Sequence, residues 1–455
     1  MRIVVFSTLF PPNVVGGAER TVETLMLGLA ERGAEVHVIT IDPAKDHSRC
    51  QGPLQVHGVR LRNFYWPYAS THRPPAWRRA FWHARDIHNI EMAKASGHLI
   101  RELRPDIVLT FNLQGFSTSV WETVKSIDGL PLVHVIQDYW LLCPRTTMFK
   151  TGRNCERSCL SCRLITRTRR HATRRPDAVV GISRMVLQRH LEEGLFPDVS
   201  IKRVIYNGRQ VGEGVRAAPT AVHAPGPLRL GFLGRISREK GFEHLLNELA
   251  RLDDHRWTLL VGGRCPPDYA AKLGRRYALD RVEFLGFVDP EAFFPRIDVL
   301  VVPSLWHEPL GSVVIEAFCH GVPVIVSNKG GLPEMMSGET AGFVFDPDEP
   351  GALARLLGLL IREPDLLAPL RRTALGLSRR FSVERQVEAY AALLDEVRTA
   401  NGPRHLGGRR PTPTTASSET SAFEALHASP SPSFDQVPSP LRYAARRART
   451  KVLQT

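Results

Sequence analysis

Between Ile297 and Asn328 the chain reads as a β-branched run, a loop, an apolar helix and a second apolar run, and few folds accommodate that order. IDVLVV (Ile297 to Val302) has the composition of a buried parallel strand and is stopped by Pro303. Ser312 is placed to cap a helix over VVIEAFCH, and Gly321 followed by Pro323 ends it, so VIVSN becomes the next strand. Strand, helix and parallel strand make one crossover of a doubly wound α/β sheet, where ligands bind in the crevice at the strands' carboxyl ends. Glu308, in the loop, and Glu316, early in the helix, both belong to that end. Two ionised carboxylates accept O–H donors well, which suits a sugar or a ribose. Two solvated surface glutamates would give the same letters.

At 455 residues with 43% hydrophobic composition, the chain can bury two cores. Its net charge of +14 admits nucleic acid, an anionic membrane face or a phosphorylated substrate as partner. No apolar run approaches the roughly 20 residues of a membrane-spanning helix. MRIVVFSTLFPP is too short and too quickly broken for a secretory signal and reads as a first strand, so a cytoplasmic protein is expected. Its seven cysteines are then thiols or metal ligands rather than disulfides.

The first strand leads through PPNVVGGAER into a helix over about Glu19 to Glu31, with Gly16 and Gly17 at the turn. A glycine pair there admits a phosphate or an acceptor to the backbone, or simply makes a tight turn. NFYWPYASTHRPPAWRRAFWH, from about Phe64, suits a membrane interface, an acceptor groove or ordinary packing of one helix face. PDIVLTFN and LPLVHVIQDYW read as strands that deliver Asn112, Gln137 and Asp138 to their carboxyl ends; His134, inside the second, reads as a core histidine. Cys143, Cys155, Cys159 and Cys162 follow in an insertion spanning 143–175. Four thiols with one C-x-x-C are a candidate structural zinc site that would staple a segment with little core, or else reduced thiols in a loop. RLITRTRRHATRR (Arg163 to Arg175) suits an anionic lipid head or is a solvated charged face. The first domain is expected over 1–216, with a linker at 217–227 by its Ala, Pro and Gly content.

The second domain, 228–380, opens with LRLGFLGRISREKGFEHLLNEL. Arg235 and Lys240 beside a helix start make an anion-binding turn. A C-terminal helix at 381–400 is followed by a Pro, Ser and Thr rich tail, 401–455, expected to be disordered.

Four strings are together specific. EPLGSVVIE, with its glutamates eight positions apart, GVPVIVSNKGGLPE, GRISREKG and GGAE resemble glycosyltransferase family 4, the retaining nucleotide-sugar transferases of the GT-B type. The resemblance covers the chain up to about residue 400. It implies two Rossmann-like domains facing a cleft, with a nucleoside-diphosphate sugar as donor substrate and no catalytic metal. It also implies that Glu308 meets the donor sugar, Glu316 the ribose, and the amides near Leu310, Gly311 and Ser312 the sugar and diphosphate. Arg235 and Lys240 would hold and stabilise the leaving diphosphate, the Gly16–Gly17 loop would lie across the cleft from it, and Val288, within GFV, would receive the base. Where many family members carry His–Asp in the sugar cleft, this chain has Gln137 and Asp138. An amide cannot take up a proton near neutral pH, so no imidazole chemistry is available there.

The expectation is therefore a retaining hexosyltransferase acting on a saccharide or lipid-linked acceptor in bacterial surface polysaccharide synthesis. It would work in the cytoplasm or peripherally on the inner membrane face, without a nucleic-acid partner. The rival is a non-catalytic protein of the same architecture that binds an acidic partner through its basic surface.

Overall fold

The computed structural model describes residues 1–14, 16–68, 74–127, 129–210, 226–336 and 340–402. Most of the 217–227 linker and nearly all of the 401–455 tail lie outside the described residues. The first sheet has eight strands in the order Ile201–Val204, Ala178–Gly181, Leu132–Ile136, Ile107–Thr110, Arg2–Phe6, Glu35–Asp42, Leu54–Arg60 and His47–Gln51. All pair in parallel except the last, which runs antiparallel at the edge. The central strands are apolar on both faces because helices cover both sides. Ile3 to Phe6 and Ile107 to Leu109, for instance, have no exposed surface.

The second sheet is wholly parallel: Val282–Gly286, Trp257–Gly262, Leu228–Leu233, Val299–Val302, Val324–Ser327 and Gly342–Phe345. Each sheet is thus an open, doubly wound α/β unit. The 303–333 stretch does form the expected crossover, with the helix at Ser312–Cys319 between two neighbouring strands of this sheet.

The helix start departs from the expectation. Gly311, at φ 91°, occupies the cap position, and Ser312 is the first helical residue. A Cβ on Gly311 would strike the Leu332 side chain, so a left-handed, side-chain-free residue is needed there. Ser312 is displaced from the cap by that turn.

The basic run also differs from a solvated face. It folds into two short helices, Leu160–Ile165 and Arg167–Ala172, and turns Arg169 fully inward. Arg169 donates to the equally buried Asp86 at 2.8 Å and lies over the Trp140 ring. Arg170 pairs with Glu193. Charges cannot be buried singly, so part of this run is structural.

The last helix, Val383–Ala400, crosses back and packs on Gly17–Glu31 of the first unit. The two units share one apolar cluster, which includes Tyr139 and Leu142 from one and Trp306 and Leu310 from the other. Among the described residues no helix is long and apolar enough to cross a membrane.

Candidate active site

Glu308 sits where the strand Val299–Val302 hands over to its loop, and it is 4% exposed. Its Oε1 accepts from Lys240 Nζ at 2.6 Å and from Ser304 Oγ at 2.7 Å. Burial alone would push the carboxyl up, but the Lys240 ammonium and the Ser304 hydroxyl hold it below the ordinary 4.5. It is an acceptor, not a proton donor. Lys240 reaches this point because Gly241, at φ 73°, starts the helix Phe242–Leu249 hard against the Pro303 carbonyl, where no side chain fits. The ammonium also lies 5.4 Å from the Trp306 ring centroid.

Glu316 has a different partner. Arg209 Nε donates to its Oε1 at 2.9 Å, while Arg209 Nη1 donates to Thr21 Oγ1 at 2.7 Å. The same guanidinium occupies the space over Gly17, 3.2 Å from where a Cβ would stand. Gly16 caps the helix Gly17–Glu31, and its N–H donates to Glu19 at 2.9 Å. The glycine pair therefore lies beside Arg209, which reaches Glu316 of the second unit. Nothing in the sequence reading singled out Arg209; its place directly after Asn207–Gly208, at the end of a sheet, was the available signal.

Arg235 is 60% exposed, with Glu239 at 3.8 Å. The structure thus joins Lys240 to Glu308 and brings Arg209, rather than Arg235, to Glu316. Leu310 is buried, Gly311 and Ser312 are partly open at the helix start, and Val288 packs beside Gly262. Next to it Phe287 is 74% exposed, with the Arg264 guanidinium 5.7 Å from its ring.

Across the junction, Asn112, Gln137 and Asp138 line one small concavity together with His134 and Trp140. The three residues proposed for the acceptor side are therefore brought together. Asn112 Oδ1 accepts from the Gln114 N–H, and Asp138 accepts from the Trp140 N–H at 2.7 Å. Burial pushes the Asp138 carboxyl up to about 6. His134 is buried, hydrogen-bonded to Thr110 Oγ1 at 3.0 Å, and pushed down to about 3 by burial, so it is a neutral core residue.

The loop 305–309 is held from both units. Leu305 and Trp306 N–H groups donate to the Glu239 carbonyl, and Gly331 N–H donates to the Glu308 carbonyl. From the other side, Tyr139 Oη donates to the His307 carbonyl at 2.9 Å, and Ser183 Oγ donates to the Pro309 carbonyl. Asn154 spans Leu305 and His307. Glu334 accepts from the N–H groups of Arg184 and Met185 at 2.8 and 2.6 Å, giving the helix Arg184–Glu192 a carboxylate from the opposite unit.

Of the four insertion thiols, Cys143 and Cys162 approach to 3.8 Å between sulfurs. Among the described residues no three or more His, Cys, Asp or Glu side chains converge as a metal-ligand set. Cys159 is distinct. A hydrogen bond with Ser161, and the Cys162 N–H at the start of a helix, lower its thiol to about 7.

Two family models match the chain: "Glycosyl transferase 4-like domain" over residues 16–208 and "Glycosyl transferases group 1" over 227–363. An uncharacterized 42.6 kDa protein from the cps region of Klebsiella pneumoniae is 32% identical over 74% of this chain and 87% of its own. Among solved structures, sucrose-phosphate synthase of Thermosynechococcus elongatus superposes with a TM-score of 0.68 at 20% identity, covering 88% of this chain and 99% of that one. HepE of Anabaena, in complex with UDP-glucose, superposes with a TM-score of 0.62 at 20% identity, covering 87% and 100%.

Proposed function

The chain belongs to the group 1 (family 4) glycosyltransferases and has their GT-B fold, and on that premise we propose that it transfers a hexose from a nucleoside-diphosphate sugar, with retention. The acceptor is a saccharide or a lipid-linked saccharide, in the making of a bacterial surface polysaccharide; the likeness to a cps-region protein supports this.

The observation that carries the reading is the buried Glu308–Ser304 pair with the half-buried Lys240 at a strand's carboxyl end, placed where both units meet. A carboxylate kept ionised in a dry site accepts sugar hydroxyls, and the nearby ammonium offsets charge on a departing diphosphate. In this scheme the bond between the sugar and the phosphate oxygen breaks. The acceptor oxygen bonds to the same carbon on the same face, and its proton passes to the phosphate oxygen. Arg235, exposed at the loop, joins Lys240 on the diphosphate, and Glu316 takes the ribose hydroxyls. The amides at Leu310 to Ser312 add donors at a helix start. Val288 and the adjoining strand end take the base, Gly16 and Gly17 border the diphosphate, and Asn112, Gln137 and Asp138 face the sugar and acceptor.

The reading includes attachment to an anionic membrane face. It is supported by Phe64, Trp77 and Phe81, each more than half exposed, with Phe81 in edge contact with both of the others, next to Arg78 and Arg79. Co-sedimentation with anionic but not neutral vesicles tests it.

Calorimetric titration with UDP-, GDP- and ADP-sugars, repeated on Glu316→Ala, tests the donor assignment. One class is expected to bind the unmodified protein and to bind the variant about tenfold more weakly. Absence of binding by all three would remove the assignment.

A further inference from the structure

The cysteine insertion reaches the candidate donor site. Its short hairpin, Phe149–Lys150 paired with Arg153–Asn154, ends on Asn154. Asn154 Nδ2 donates to the Leu305 carbonyl at 2.7 Å, and its Oδ1 accepts from the His307 N–H at 2.9 Å. The amide orientation follows from the partners, since a carbonyl only accepts and an N–H only donates. One carboxamide thereby makes two hydrogen bonds to the backbone of residues two apart in the loop. Glu308 is the next residue in the chain after His307. At the hairpin's tip, Gly152, at φ 84°, lies against the Arg238 guanidinium, and a Cβ there would come within 2.6 Å of it. The hairpin therefore touches both loops of the candidate donor site, 235–240 and 305–309, although it belongs to the opposite unit.

We propose that Asn154 is a positioning residue for donor binding: its carboxamide fixes the loop that carries Glu308, so the insertion is a working part of the donor site. Only Asn offers both a donor and an acceptor at this reach. Aspartate keeps the bond from His307 but turns a carboxylate toward the Leu305 carbonyl, and alanine loses both. The inference rests on the donor reading for its effect on activity, but the clamp itself does not depend on that reading.

The test uses the full-length chain with Asn154→Ala, Asn154→Asp and, as a control on the same hairpin, the exposed Lys150→Ala. Asn154→Ala is expected to raise the donor KM and the calorimetric Kd about tenfold with the acceptor KM unchanged, and Asn154→Asp at least as much. Lys150→Ala is expected to match the unmodified protein. Amide hydrogen exchange over residues 303–312, measured without any sugar nucleotide, is expected to quicken in both Asn154 variants and not in the control. Unchanged donor affinity together with unchanged exchange in the Asn154 variants overturns the proposal. If the unmodified protein binds no sugar nucleotide, the donor reading fails instead, and exchange alone decides the clamp. Should Asn154→Ala not fold, Asn154→Asp, nearly the same in volume, carries both measurements.

Discussion

Glu308 and Glu316 lie on the same crossover and are held in opposite ways. Glu308 is sealed, with a lysine and a serine from its own unit on one oxygen, and its loop is gripped from the other unit. The Glu316 side chain keeps 22% exposure, and its partner Arg209 comes from across the junction. The first carboxylate is organised before any ligand arrives. The second is already occupied by a cation that a ribose must displace or share. The site thus combines a rigid sugar subsite with an adjustable nucleoside subsite, and the cost of disturbing each should differ several-fold.

Lys240→Met should be the most damaging change, because it strands a buried carboxylate. About 3–5 kcal/mol of stability is expected to go, read by chemical denaturation, together with nearly all transferase activity. Adding Glu308→Gln to it removes the stranded charge, so the double variant should regain most of the stability and none of the activity. A double variant no more stable than the single one would show that Glu308 is not dry.

Acidity provides a second way to separate the two carboxylates. Glu308 is held below 4.5, so its ion pair contributes above the unfolded value and is lost as pH falls through the folded one. In the unmodified protein that contribution should be full at pH 7 and fall only well below 4.5, whereas in Lys240→Met burial without the ammonium raises the same carboxyl, so the stability gap should narrow as pH falls from 7 and the variant's Glu308 takes up its proton. A gap unchanged between pH 7 and about pH 3 would contradict the pairing.

Arg209→Met should have a smaller effect, about 1 kcal/mol, since Glu316 retains access to water. A loss as large as that of Lys240→Met would mean that the two carboxylates are equally sealed. Tyr139→Phe should have the smallest, removing one hydrogen bond to the His307 carbonyl for about 0.5–1 kcal/mol. Thermal unfolding measures both.

Much of this was legible in the letters. The strand–loop–helix–strand order, the place of both glutamates, the Lys240 turn and the grouping of Asn112 with Gln137 and Asp138 all depend on runs shorter than about ten residues, where periodicity and turn chemistry act locally. The cap at Gly311 was misassigned to Ser312 because the deciding contact, with Leu332, lies twenty-one positions away. Arg169 was read with its neighbours as surface charge because its partner, Asp86, lies 83 positions earlier. The four insertion cysteines show the same effect of distance: their spacing allows a ligand set or reduced thiols, and it is the fold that brings Cys143 to Cys162 across nineteen positions.

The sequence alone determined that two α/β units exist and which strand ends carry charge, since hydrophobic periods and turn residues encode those within a few residues. Only the tertiary structure decided the partners: Arg209 for Glu316, Asn154 for the Glu308 loop, Glu334 for the helix at Arg184. These pairs are separated by 107 to about 150 positions. They are joined by the packing of one sheet's crevice against the other's, which no local pattern records.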